Sequence, residues 1–70
     1  METSEKIWIA SKYVEKGYGF DDLRYGDDLY HLDGTPEKET ILDEICGYMT
    51  EYKEIGSIAF RKKYSEYKLY

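Results

Sequence analysis

Between Thr35-Pro36 and Gly56, Ile41, Ile45, Tyr48, Tyr52 and Ile55 recur at alternating spacings of four and three. That period places them on one face of an α-helix. Leu42 and Met49 widen the stripe, as a core-facing helix requires. Asp33-Gly34-Thr35-Pro36 reads as a turn, an N-cap Thr and a Pro at the first helical position. Glu37 and Glu39 add negative charge to the first turn, where the helix dipole favours it. Gly56 fits a stop just past the last turn. The spacing therefore predicts a helix over 36–55, and such a stripe needs a second layer to cover it.

The candidates for that layer read as strands. In Lys6–Glu15, Ile7, Ile9 and Tyr13 alternate with Lys6 and Lys12, and β-branched or aromatic side chains dominate. A short helix over 10–16, stopped by Gly17, is the alternative. Leu29-Tyr30-His31-Leu32 could form a second short strand. After Gly56-Ser57, Ile58 and Phe60 alternate again, although Phe60, Tyr64 and Tyr67 also fit a helical period. The clean break at Gly56 favours a strand over 57–70. The expected fold is one α+β domain over residues 1–70. One long amphipathic helix packs on a small antiparallel or mixed sheet of two to four strands, with an acidic loop at 17–34. In such a strand Trp8 would face away from Ile7 and Ile9, marking an exposed contact or homodimer surface.

Seventy residues bury only about 60 % of their unfolded surface. A deep catalytic pocket with its own supporting shell is difficult to build on that scale, so an enzyme is not expected. A single cysteine, Cys46, rules out an internal disulfide framework, and no ligand set suits structural zinc. The first residues lack the charged start and apolar run of a signal peptide, and no apolar run approaches a membrane span. A cytoplasmic, cofactor-free protein is the expectation. Nine of the twelve aromatic residues are Tyr, a side chain that serves thin cores and interfaces equally well.

The net charge of −5 is unevenly spread. Residues 15–54 hold twelve acids and four bases, whereas residues 57–70 hold four bases and one acid. Within 17–33 Asp-Asp-Leu occurs twice, and five Asp stand against one Arg. Leu23, Leu29 and Leu32 of that segment suit the core. Asp21, Asp22, Asp27 and Asp28, with Tyr25 and Tyr30 among them, suit a surface that steers and anchors a basic partner. Along the helix, Glu44, Glu51 and Glu54 have no Lys or Arg four residues on, so they extend the same negative face. These nine residues are the candidate partner-binding set. The function expected is a non-enzymatic inhibitor or modulator that docks on a basic, nucleic-acid-handling protein. One version is a nucleic-acid mimic, whose spaced carboxylates compete for a phosphate site. Some phage-encoded inhibitors of restriction and CRISPR machinery are similar in size, charge and tyrosine content; no family motif accompanies that similarity.

Other constellations carry less. Asp27, Asp28, His31 and Asp33 offer oxygen ligands for a hard cation, but their spacing does not match an EF-hand loop. Cys46 and His31 could be imagined as nucleophile and base, yet an acidic helix raises a thiol pKa. Arg61, Lys62, Lys63, Tyr64 and Tyr67 interleave base and aromatic as a nucleic-acid contact strip does. On a chain of net negative charge, those cations more simply answer the domain's own acids. Direct nucleic-acid binding through this strip is the runner-up function. Gly47, in mid-helix, costs about 1 kcal/mol relative to Ala, which either a close backbone approach or plain tolerance would explain.

Overall fold

A computed structural model describes residues 1–26, 29, 32 and 34–67, and these form helices and turns with no strand. The order is α1 (Thr3–Glu15), α2 (Phe20–Tyr25) and α3 (Lys38–Lys63). α1 packs along α3, and α2 rests on α3 beside it. The α+β expectation is thus overturned: the layer over the long helix is helical, and no sheet exists among the described residues.

The first mistaken strand, Lys6–Glu15, lies within α1. Ile7 and Ile9 are buried as an alternating pattern demands, but for another reason. Two residues apart on a helix is about 200° around its axis, so the two side chains point to opposite flanks of α1. Ile9 joins Ala10, Tyr13, Leu23, Leu29, Leu32, Ile41, Leu42, Ile45 and Met49 in the main core. Ile7 faces a second cluster with Tyr52 and Phe60. A helix flanked on both sides buries so wide an arc that its pattern imitates a strand. Ser11 falls inside that arc, and its hydroxyl donates to the Trp8 carbonyl at 2.9 Å, which satisfies it locally. Trp8 is half-buried at the core margin, with the Lys12 ammonium 6.0 Å from its ring centroid. The strand argument for a bare Trp8 dimer face therefore lapses.

The long helix is where the spacing placed it, with adjustments at both ends. Regular helix starts at Lys38, and Glu37 rather than Thr35 is the N-cap, without a side-chain cap bond. Thr35 and Pro36 instead belong to the entry turn, where the Thr35 carbonyl accepts from Lys38 N at 3.1 Å. Gly56 interrupts the helix with φ 86° and ψ 165°, a conformation essentially reserved for Gly. The chain then resumes as helix over 57–63 instead of the expected strand. Phe60, at the helical spacing, is fully buried against Ile7 and Tyr52, while Ile58 is 85 % exposed. A strand would have put the two on one face. Tyr64 and Tyr67 close over the same cluster, with Phe60–Tyr64 ring centroids 4.9 Å apart. Ile55, expected in the core stripe, is exposed because the stripe is interrupted at Gly56.

The segment 17–34, expected to be loop, contains α2. Its three leucines are buried as the sequence suggested: Leu23 and Leu29 almost completely, Leu32 nearly so. No described helix is long and apolar enough to cross a membrane.

Candidate docking cleft beside α2

The site is built from the end of α1 outward. Gly17 has φ 77°, which lets the chain reverse. Its N–H donates to the Val14 carbonyl at 3.0 Å, and Tyr18 N–H donates to the Tyr13 carbonyl at 2.9 Å. That pair of bonds is a Schellman cap, and it brings the residue after the glycine over the last turn of the helix. Tyr18 accordingly meets Tyr13 edge-on, with centroids 5.5 Å apart and planes at 79°. Tyr13 is buried and Tyr18 is half-open to solvent.

Two residues on, Gly19 starts α2. The Asp22 carboxylate reaches back and accepts from Gly19 N–H at 2.8 Å, stabilising the first turn of a helix too short to persist alone. Leu23 anchors α2 in the core, and Arg24 ties it to α3 through an ion pair with Glu39 at 3.1 Å. Lys53 of α3 lies 5.7 Å from the Phe20 ring centroid. Gly26 then passes directly under the Tyr13 hydroxyl: a Cβ there would lie 1.9 Å from that oxygen and 2.7 Å from the Asp22 carbonyl. Only Gly allows the chain to leave α2 so close to α1.

Between the α1 cap and α2 lies an open cleft of about 570 Å³. Tyr13 and Gly26 form its floor, Tyr18 and Tyr25 its aromatic walls, and Asp21 and Asp22 its carboxylates. Among the described residues Lys16 supplies the one cation of its lining, with its ammonium 5.8 Å from the Tyr18 centroid. Tyr25 is 81 % exposed and Phe20 51 %.

Of the nine residues predicted to bind a partner, the cleft unites Asp21, Asp22 and Tyr25. Asp27, Asp28 and Tyr30 lie outside the described residues, as do His31 and Asp33 of the metal reading. Among the described residues no group of three or more acids, His or Cys could hold a metal ion. Glu44 and Glu51 do not belong to a bare negative face. Glu44 pairs with Lys6 of α1. Glu51 pairs with Lys63 and accepts from the Tyr64 hydroxyl. The spacing rule missed these partners because Lys6 comes from α1, and Lys63 and Tyr64 come from the far side of the Gly56 break. Glu54 is exposed, and none of the ion pairs among the described residues includes it.

Two of the three described cations of the basic tail, Arg61 and Lys63, are also engaged. Arg61 binds Glu15 at 2.8 Å, and Lys63 holds Glu51. The Glu51 carboxyl is lowered from its ordinary value by the Lys63 hydrogen bond first and the Tyr64 hydrogen bond second. Tyr64 is pushed up, by burial and then by its bond to Glu51. Burial, with Asp43 adding to it, raises the Cys46 thiol, so this side chain is a poor nucleophile.

Tyr13, Lys16, Tyr18 and Gly26 were not among the sequence candidates. The available signal was Gly17 flanked by Tyr13 and Tyr18, the spacing of a Schellman cap with its hydrophobic contact. No family model, curated protein or solved structure matches this chain.

Proposed function

We propose that this protein is a non-enzymatic binding protein that docks on a basic surface of another protein through α2 and its cleft. One observation carries this reading. Tyr18, Phe20 and Tyr25 are exposed together with Asp21 and Asp22 on one short stretch, in a domain that has matched Glu15, Glu39, Glu44 and Glu51 to its own cations. Exposed aromatic side chains supply buried area on association, and nearby carboxylates steer a cationic partner and fix its register. Proteins that handle nucleic acid present dense Lys and Arg surfaces, so an inhibitor or modulator of such a protein is the role that fits best.

Anchoring at α2 is favoured over nucleic-acid mimicry along α3. A mimic needs a row of free carboxylates, and the Glu44 and Glu51 members of that row already hold ammonium groups. The nucleic-acid-binding alternative loses ground for the matching reason: Arg61, Lys63 and the Tyr64 hydroxyl are engaged internally.

The test is affinity capture from the native host with the wild-type chain and with a variant carrying Phe20→Ala, Asp21→Asn and Tyr25→Ala. All three side chains are exposed, so the variant should keep its helical circular dichroism. Loss of the captured partner from the folded variant is the expected result. Equal capture by both proteins would remove α2 as the docking face.

A further inference from the structure

We infer that the cleft takes the guanidinium of an arginine supplied by the basic partner. This rests on the docking role of α2 and names the chemistry that the cleft would recognise. Its volume of about 570 Å³ lies within the range of small-ligand sites and leaves ample room for one arginine side chain. The described lining holds two carboxylates and one ammonium, an excess of one negative charge among the described residues. Asp22 Oδ2 holds the Gly19 N–H, and Asp21 is bound by no described group. Asp21 therefore offers a carboxylate to an incoming fork of N–H donors.

The aromatic walls extend the same preference. Lys16 already sits over Tyr18 at the separation typical of a cation–π contact. This side of the cleft thus accepts a cation against a ring. Tyr25, far more exposed, has no described ring or cation against it. A planar guanidinium stacks on such a ring while its edge donates two hydrogen bonds to a carboxylate. An ammonium can do one or the other less well. Arginine is thus preferred to lysine, with Lys16 retaining Tyr18 and the guest occupying the space between Tyr25 and Asp21.

The experiment is an amide-detected NMR titration of the full chain with a capped Gly-Arg-Gly peptide. Parallel titrations use the lysine and citrulline peptides; citrulline keeps the shape of arginine but carries no charge. The expected result is saturable shift changes confined to the amides of residue 13 and residues 16–26. Binding should be weaker for lysine, and weaker by roughly tenfold for citrulline. Asp21→Asn and Tyr25→Ala should each weaken arginine binding by about threefold or more, whereas Tyr25→Phe, which keeps the ring, should not. Shifts spread over α3, no saturable shifts, or citrulline binding as well as arginine would overturn the inference. The two proposals fail separately. Host capture that depends on α2 while the arginine peptide leaves the cleft untouched sinks the arginine site alone. Peptide binding in the cleft with capture indifferent to α2 sinks the docking role alone.

Discussion

Arg61 Nη2 donates to Glu15 Oε2 at 2.8 Å, and the Tyr52 hydroxyl donates to the same oxygen at 3.3 Å. One carboxylate at the end of α1 thus collects a donor from each side of the Gly56 break. The contact is partly exposed and contributes at most about 1 kcal/mol. Its greater consequence is geometric. It holds residues 57–63 against α1 at the edge of the cluster that Phe60 fills.

Phe60→Ala should be the most damaging single change in this region. The ring is fully buried between Ile7, Tyr52 and Tyr64. Phe-to-Ala substitutions in a core cost about 3–5 kcal/mol. A domain of this size holds only roughly 3–5 kcal/mol in total. Thermal melting by circular dichroism should show a chain largely unfolded at room temperature. A melting temperature within a few degrees of wild type would mean that the second cluster contributes little.

Gly47 and Gly56 should respond oppositely to alanine. A Cβ on Gly47 meets nothing within 4 Å, so the glycine is tolerated rather than required. Gly47→Ala should stabilise by about 0.5–1 kcal/mol through helix propensity alone. Gly56 also has open space, but its φ of 86° penalises any side chain. Gly56→Ala should destabilise by about 1–3 kcal/mol. Urea unfolding midpoints of the two variants separate these expectations.

Glu51 should make the domain acid-sensitive. Its folded pKa lies below its ordinary 4.5, because Lys63 and Tyr64 donate to the charged form. The stability it adds is fully present above 4.5 and is lost as pH falls through the lower folded value. Tyr64 acts at the opposite extreme. Its folded pKa lies above 10.0, so its contribution holds below that value and is lost as pH rises through the folded pKa. Glu51→Gln should lower stability at neutral pH and flatten its decline toward about pH 3. Denaturant melts across that range would expose an unchanged slope, which contradicts the assignment.

Cys46 should react slowly with thiol reagents at neutral pH. It is half-buried, and burial raises its thiol from an ordinary 9.0. A colorimetric disulfide-exchange assay should give a rate below that of a free cysteine peptide, and denaturant should restore the rate. A native rate matching the peptide would mean that the thiol is open and unperturbed.

The sequence by itself determined the long helix, the Gly56 break and the inward turn of Leu23, Leu29 and Leu32. Each depends on a local period or on backbone stereochemistry that neighbouring residues impose on one another. It did not determine whether Ile7 and Ile9, or Ile58 and Phe60, belong to strands or helices. A short alternating run is compatible with both, and only the position of the covering helix selects one. The charge partners were equally hidden. Glu44 looks unpaired along its own helix, and Lys6 reaches it from another one. Tertiary structure therefore decided which acids are internal and which remain outward, because an ion pair depends on distance through space. Among the described residues, it withdrew Glu44 and Glu51 from the expected negative face and brought Asp21, Asp22 and Tyr25 to one cleft.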